Sequence, residues 1–334
     1  MINKNIFINI LLALISPILV LVILIFSVDI FYSYGQEKNW HDVNTRFDSK
    51  LGWAPIPNTR MIDKKGRMIS SNSLGFRSAE IDPAESQIIL SGDSVAWGLT
   101  LSDDQTISYF LSKKVPSKYQ ITNMAVSGYG FDQSYLFLKR HIDKLGKIDR
   151  IILIICSEND VKDTSGNFAY GRKKPLYILR KDGELELTGT PIFKYCLKNW
   201  TSISYFYKRF LMPHRRIHQF VSKRMGDKQF EHDQAFKVST VLIRKISDLA
   251  SSHSAKFTIL LSPDRGDFVK KSRELLALED YLNSTSYDFV DYFEWLKKQK
   301  NPKSFYVDFV HYSARGNELL ADVIYQRLKD QGLN

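Results

Sequence analysis

The sequence predicts a three-layer α/β domain with a central parallel sheet of about five strands, preceded by a transmembrane helix. Three observations support this fold class. Short apolar runs alternate with amphipathic stretches from about residue 86 onwards. One of these runs, Ile151–Cys156, is continuous and mostly β-branched, which is typical of a strand buried on both faces. The first 28 residues contain an uncharged apolar segment of transmembrane length.

The apolar runs are the predicted strands, and amphipathic stretches between or after them are the predicted helices. The predicted strands are Gln87–Ser91, Tyr119–Val126, Ile151–Cys156, Lys256–Leu261 and Tyr287–Val290. The predicted helices are Thr106–Lys113, Asp132–Lys144, Gln234–Ser252, Glu274–Leu282 and Asn317–Leu328. Strand–helix alternation of this kind indicates βαβ units, and therefore a parallel sheet.

The N-terminal segment, residues 6–28, is predicted to be an uncleaved membrane anchor. This 23-residue run carries no charge. As a helix it would span about 34 Å, enough for a hydrocarbon core of about 30 Å. The alternative is a cleaved signal peptide, which normally has a shorter apolar core followed by a small-residue cleavage site. Because Lys4 precedes the run, the positive-inside rule places the rest of the chain outside the cytoplasm.

Three parts follow from these patterns. Residues 1–28 form the anchor, residues 29–85 a stem and lead-in segment, and residues 86–330 the α/β domain. Residues 161–230 interrupt the strand–helix alternation and are too long for one connection, so we interpret them as an insertion. Within the insertion, Pro175–Leu187 is predicted to be a β-hairpin with its turn at the Lys-Asp-Gly sequence.

The composition excludes several classes of protein and leaves others open. The chain has 334 residues, of which 25% are charged and 44% hydrophobic, with two cysteines. These values exclude a disordered chain, a collagen and a disulfide-built mini-protein. Cys156 is predicted to be a buried small hydrophobe, and its pairing with Cys196 is left open.

The formal net charge of +11 is partly concentrated in the insertion, where residues 208–228 hold seven Lys/Arg against one acidic residue. Aromatic residues alternate with basic ones over residues 199–225. Two interpretations stay open: a surface for an acidic glycan or anionic lipid, or a solvated helical face. Because no recognised nucleic-acid-binding module accompanies the charge, we expect no nucleic-acid partner.

Polar residues and glycines follow three of the predicted strands. Gly92-Asp93-Ser94 follows the first strand, Gly128 follows the second and Asn159 follows the third. The carboxyl ends of parallel strands line ligand sites in α/β proteins, so we expect these residues at one edge of the sheet. Each block taken alone is also ordinary turn or helix-cap chemistry.

A possible base for Ser94 stands just before the last predicted helix. Asp308 and His311 are three residues apart, so one local turn can bring carboxylate and imidazole together. A nucleophilic serine needs a base that takes its proton and a carboxylate that orients the base. Taken alone, the pair is more simply a carboxylate near a helix N-terminus and an incidental histidine.

In this order, the four blocks resemble those of the SGNH/GDSL hydrolase family, including its membrane-anchored bacterial members, over about residues 86–330. The resemblance implies a flavodoxin-like three-layer fold and a catalytic triad of Ser94, His311 and Asp308. It also implies an oxyanion hole formed by Ser94, Gly128 and Asn159. Ser157 stands where the family usually has glycine. If that position needed a positive φ, the loop would shift and Asn159 with it.

The resemblance implies a membrane-anchored serine esterase that removes or transfers O-acyl groups, notably O-acetyl groups, on cell-envelope carbohydrate. Two alternatives stay open: a lysophospholipase or thioesterase, and a catalytically weak glycan-binding scaffold. The expected partners are an acylated glycan and the membrane, contacted through residues 6–28. We expect no cofactor or metal, since the sequence has no clustered Cys/His ligands. The expected location is the inner membrane, with the catalytic domain in the periplasm or extracytoplasmic space.

Overall fold

The computed structural model describes residues 44–170, 172–189 and 231–333, together with six helical positions among residues 13–20. The three longer ranges belong to one compact unit. Apart from those six positions, the predicted anchor lies outside the described residues, as do the basic stretch 199–225 and Cys196. Among the described residues, the structure has no helix with the length and apolar character needed to cross a bilayer.

The described ranges contain short hairpins, one larger sheet and flanking helices. The strands are β1 (Thr45–Asp48), β2 (Gly52–Pro55), β3 (Thr59–Ile62), β4 (Met68–Ser71), β5 (Ser86–Gly92), β6 (Tyr119–Asn123), β7 (Ile148–Cys156), β8 (Phe168–Ala169), β9 (Arg172–Lys173), β10 (Leu176–Leu179), β11 (Leu185–Gly189), β12 (Lys256–Ser262) and β13 (Asp288–Asp291). The α-helices are α1 (Ser94–Trp97), α2 (Ile107–Ser112), α3 (Phe131–His141), α4 (Asp160–Thr164), α5 (His232–Ser252), α6 (Arg273–Asn283), α7 (Tyr292–Lys297) and α8 (Ala314–Asp330). Short 3₁₀ helices cover Asp103–Gln105, Ile142–Lys144 and Pro302–Phe305. All five predicted strands and all five predicted helices are present, whereas α1, α4 and α7 were not predicted.

The central sheet is parallel and has five strands in the order β13-β12-β7-β5-β6. If these five strands are numbered 1 to 5 by their order along the chain, their order across the sheet, starting from β6, is 2-1-3-4-5. This is the flavodoxin-like arrangement. The predicted sheet is thereby confirmed. The strand order reverses between β5 and β7, and the carboxyl edge at this point is where α/β folds bind ligands.

Helices cover both faces of the sheet, which makes the three predicted layers. Side chains of β7 alternate between the two faces because successive residues of a strand point to opposite sides. Ile151, Leu153 and Ile155 pack with α3, α5 and α6, and the intervening side chains pack with α1, α2, α7 and α8. The strand is buried on both faces, as predicted. Cys156, at its end, is a buried free cysteine.

Residues 45–71, which belong to the predicted stem and lead-in segment, form two antiparallel hairpins, β1–β2 and β3–β4. The first hairpin contributes Leu51 and Trp53 to the core beneath the sheet. Tyr129 donates its hydroxyl hydrogen to the Trp53 carbonyl at 2.6 Å, and Gln133 donates to the Leu51 carbonyl at 2.7 Å. These bonds attach the hairpin to the start of α3.

The described part of the insertion consists of α4 and two further hairpins. The predicted hairpin at Pro175–Leu187 is confirmed as β10–β11, and its Leu176 and Tyr177 are buried. Just before it, Lys174 forms an ion pair with Asp132 of α3, and both side chains are fully buried. Breaking a buried ion pair by removing one partner leaves an uncompensated charge, which typically costs about 3–5 kcal/mol. The pair therefore fixes the β8–β9 hairpin beside α3.

Candidate active site

Ser94 lies at the carboxyl edge of the sheet because the chain turns sharply after β5. Gly92 has φ +148°, and a Cβ there would lie 2.5 Å from the Ile154 carbonyl oxygen, so this turn requires glycine. Asp93 caps α1 by accepting the Val95 N–H at 2.9 Å. Ser94 is the first residue of α1 and is 7% exposed. The Gly-Asp-Ser sequence is thus a compact strand-to-helix turn that presents the serine.

Ser94, His311 and Asp308 form one hydrogen-bonded chain. The Ser94 Oγ lies 2.9 Å from the His311 Nε2, and the His311 Nδ1 lies 2.8 Å from the Asp308 Oδ2. The carboxylate only accepts, so Nδ1 carries the ring hydrogen in the neutral imidazole and Nε2 is left to accept from the serine. The structure therefore brings together the three residues that the sequence nominated as nucleophile, base and orienting acid.

The Asp308 carboxylate is held in place by the backbone of its own loop. Its Oδ1 accepts the N–H groups of Val310 at 3.0 Å and His311 at 2.8 Å. Burial raises the pKa of Asp308, but these bonds and the imidazole hydrogen bond outweigh it, so the pKa lies below its ordinary value. Asp308 therefore stays ionised and keeps the imidazole in the useful tautomer.

Two tyrosines anchor the loop that carries the acid and base. Tyr306 and Tyr312 bracket the loop, and their backbones form an antiparallel bridge. Both hydroxyls donate to the Pro263 carbonyl, at 2.9 and 3.2 Å, just after β12. The loop is thus tied to the same carboxyl edge from which Ser94 projects.

Asn159 follows β7 and lies beside the serine. Its Nδ2 is 3.1 Å from the Asp93 Oδ2, and the same oxygen is 3.2 Å from the Ser94 Oγ. Ser157 does not adopt a positive φ, and its N–H donates to the Ser262 carbonyl at 3.0 Å. The serine in place of glycine therefore fits this loop without displacing Asn159.

Gly128 has φ +78°, in the left-handed region that favours glycine. Its loop is held by Trp53, whose Nε1 donates to the Ser127 carbonyl at 3.1 Å. Among the described residues, neither the Ser94 N–H nor the Gly128 N–H has an internal acceptor.

Two residues that the sequence did not nominate complete the surroundings of Asn159. Asp163 accepts from the Asn159 Nδ2 at 2.9 Å and from the Tyr170 hydroxyl at 2.6 Å, both through its Oδ2. Burial raises the pKa of Asp163 to about 6, although both hydrogen bonds lower it. The carboxylates of Asp93 and Asp163 fix the amide orientation, since a flipped Asn159 would turn its oxygen toward them. The spacing of Asn159 and Asp163, four residues apart on one helical turn, is the signal that could have indicated this pair.

Among the described residues, no group of three or more His, Cys, Asp or Glu side chains is arranged to hold a metal ion.

The comparisons with known proteins find similar solved structures. No model of a known protein family matches the sequence, and no curated protein matches it. A lipolytic protein of the G-D-S-L family from Veillonella parvula is 14% identical, with 72% of this chain and 97% of that chain covered and a TM-score of 0.41. A GDSL-like lipase from Bacteroides thetaiotaomicron is 12% identical, with 76% and 92% covered and a TM-score of 0.43. A carbohydrate acetylesterase from Sinorhizobium meliloti is 14% identical, with 74% and 100% covered and a TM-score of 0.37.

Proposed function

We propose that this protein is a membrane-anchored serine esterase of the SGNH/GDSL hydrolase type. Its substrates are O-acyl groups, notably O-acetyl groups, on cell-envelope carbohydrate. The observation that carries the proposal is the chain of hydrogen bonds from Ser94 through His311 to Asp308 at the carboxyl edge of the sheet. Geometry of this kind supports attack by a serine on an ester carbonyl.

In the first half of the reaction, the enzyme becomes acylated. The Ser94 Oγ bonds to the ester carbonyl carbon while its proton moves to the His311 Nε2. The carbonyl oxygen becomes an oxyanion, which the backbone N–H groups of Ser94 and Gly128 and the Asn159 amide would stabilise. The bond to the leaving oxygen then breaks, and that oxygen takes the proton from His311.

In the second half, an acceptor removes the acyl group from Ser94. Water gives a proton to His311 and attacks the acyl carbon. The bond to the Ser94 Oγ then breaks, that oxygen takes the proton from His311, and the carboxylic acid leaves, which makes the protein a hydrolase. A sugar hydroxyl in the same place would give a new ester and make the protein an acyltransferase. The same three side chains serve both outcomes.

The carbohydrate substrate and the location rest on sequence features. The apolar run 6–28 would place the site close to a membrane, and the charge preceding it favours an extracytoplasmic domain. The basic and aromatic stretch 199–225 would suit an acidic glycan. These features support the inner membrane as the location, with the catalytic domain in the periplasm or extracytoplasmic space.

The test is ester hydrolysis by the full-length protein in detergent, with p-nitrophenyl esters of short and long acyl groups and an acetylated glycan. We expect turnover in the wild type and none above background in Ser94→Ala. Ser112→Ala is the matched control, because Ser112 is an exposed serine on α2 that contacts no catalytic group. Equal inactivity of the wild type and Ser94→Ala on all of these esters would instead favour a binding protein.

A further inference from the structure

Tyr170 covers the corner of the site where the oxyanion donors lie. A Cβ added to Gly128 would lie 2.9 and 3.0 Å from the Cε2 and Cδ2 of the Tyr170 ring. The hydroxyl of the same side chain is 3.4 Å from the Asn159 Nδ2 and 2.6 Å from the Asp163 Oδ2. One tyrosine therefore extends from one predicted oxyanion donor to the other, with half of its surface exposed.

The backbone at Tyr170 is unusual for a tyrosine. Tyr170 directly follows β8, in the short connection to β9, and the two strands pair through Ala169 and Arg172. Tyr170 has φ +51°, and hairpin turns of this length favour asparagine, aspartate or glycine at such positions. A non-glycine residue in the left-handed region costs about 1–3 kcal/mol, and such strain is concentrated at functional sites. The hydrogen bond to the buried Asp163 and the contact with Gly128 are the interactions that offset this cost.

The four substituents of the tetrahedral carbon restrict where the acyl chain can lie. The tetrahedral carbon carries the Ser94 Oγ, the oxyanion, the leaving oxygen and the acyl chain. The leaving oxygen must face His311, which protonates it, and the oxyanion must face the donors. The acyl chain takes the remaining direction, and the Tyr170 ring, beside Gly128 and Asn159, borders the donor side of the site.

We propose that Tyr170 is the residue that restricts this enzyme to short acyl groups, by closing the space beside Gly128 into which a longer chain would extend. This inference rests on the proposed esterase function and specifies its substrate class as acetyl and similarly short esters. The ring carries out the selection, whereas the hydroxyl, bonded to Asp163, holds the ring in place.

The test compares kcat/KM for p-nitrophenyl octanoate and p-nitrophenyl acetate in full-length variants. In Tyr170→Gly, the octanoate-to-acetate ratio should rise by about tenfold or more, because removal of the ring opens room for a few methylenes. Glycine adopts φ +51° freely, so relief of the backbone strain offsets the lost contacts of Tyr170, and the melting temperature checks that this variant is folded. Tyr170→Phe keeps the ring, and its ratio should stay within about threefold of wild type. Phe168→Ala, which removes an exposed ring from the same hairpin, is the matched control and should leave the ratio unchanged.

Two other results would overturn the inference, and they are distinguishable. If Ser94-dependent hydrolysis occurs but Tyr170→Gly has the wild-type ratio, the esterase function stands and the role of Tyr170 is wrong. If neither wild type nor Tyr170→Gly hydrolyses any ester in a Ser94-dependent manner, the proposed function fails and the inference with it.

Discussion

The described chain contains two sets of serine, histidine and aspartate within hydrogen-bond distance, and only one has the features of a catalytic site. The first is Ser94, His311 and Asp308. The second lies at the C-terminal end of α5, where the Ser252 Oγ is 3.1 Å from the His253 Nδ1 and the His253 Nε2 is 3.0 Å from the Asp143 Oδ1. The two sets differ in the other hydrogen bonds that their serine and histidine side chains form.

In the second set, the histidine has no nitrogen left to accept a proton from serine. The His253 Nδ1 lies 2.9 Å from the Leu249 carbonyl oxygen, to which it can only donate, and the Nε2 faces the Asp143 carboxylate. The hydrogen bonds to Asp143 and Leu249 raise the pKa of His253, which favours the cation. Ser252 donates its own hydrogen to the same carbonyl at 2.8 Å. The second set therefore places a positive charge at the C-terminal end of a helix, where the helix dipole favours it.

The first set differs because it joins two separate parts of the chain, the start of α1 and the loop before α8, at the carboxyl edge of a parallel sheet. Its histidine accepts at Nε2, its serine is the first residue of a helix, and the N–H of that serine has no acceptor among the described residues. The comparison teaches that proximity of the three side chains does not make a triad. Whether the three side chains can act as a triad depends on the tautomer of the histidine and on the donors around the serine.

The largest effect expected from this comparison is the loss of activity on removing the base. His311→Ala should lower kcat/KM for p-nitrophenyl acetate by about 10⁴-fold or more, because the serine loses its proton acceptor. His253→Ala is the matched control in the second set and should stay within about twofold of wild type. Steady-state kinetics of the two variants measures both values, and a large loss in His253→Ala would contradict the comparison.

A smaller effect is expected at Asn159, the proposed oxyanion donor, which has no counterpart in the second set. Asn159→Ala should lower kcat by about 10²–10³-fold with a smaller change in KM, because the donor acts on charge that develops in the transition state. Asn159→Asp is a useful companion, since it adds a third carboxylate beside Asp93 and Asp163 and should be at least as damaging. An unchanged kcat in Asn159→Ala would show that its amide stays bonded to the two carboxylates throughout the reaction.

The smallest effect concerns the second set itself. Because the folded-state pKa of His253 is raised above 6.5, its cation stabilises the fold fully below pH 6.5, and this contribution is lost as the pH rises through the raised pKa. His253→Ala should therefore reduce the free energy of unfolding at pH 5.5 by about 0.5 kcal/mol at most, since Asp143 is solvent-exposed. At pH 9 the charge-dependent part of this difference should vanish. Urea denaturation at both pH values measures this, and a larger loss at pH 9 would have the wrong sign.

Most of the sheet domain was predictable because its signals are local. The continuous run Ile151–Cys156 identified a doubly buried strand, and the amphipathic period of the stretch that forms α5 identified a long helix. The short α1, α4 and α7 helices were missed because four to six residues are too few for a period to be recognised. The hairpin β1–β2 was not predicted either, since the buried Trp53 depends on long-range contacts with Tyr129 and Ser127.

The difference between local signals and long-range contacts also explains which site residues were predicted. Ser94, Gly128, Asn159, Asp308 and His311 follow or precede recognisable elements, so their order along the chain indicated a shared sheet edge. Asp163 was overlooked although it is four residues from Asn159, because the helix between them was not recognised. Tyr170 could not be placed, since its position depends on the ion pair of Lys174 and Asp132, which joins parts of the chain 42 residues apart.

The most direct test of the central claim is covalent labelling of the full-length protein with an alkyl fluorophosphonate, followed by mass spectrometry of the peptides. The serine oxygen displaces fluoride and forms a stable phosphonate ester, which requires an activated nucleophile. The account predicts an adduct on Ser94 that is lost in His311→Ala and kept in His253→Ala. Labelling of Ser252 at a comparable rate, or no adduct on Ser94, would contradict it.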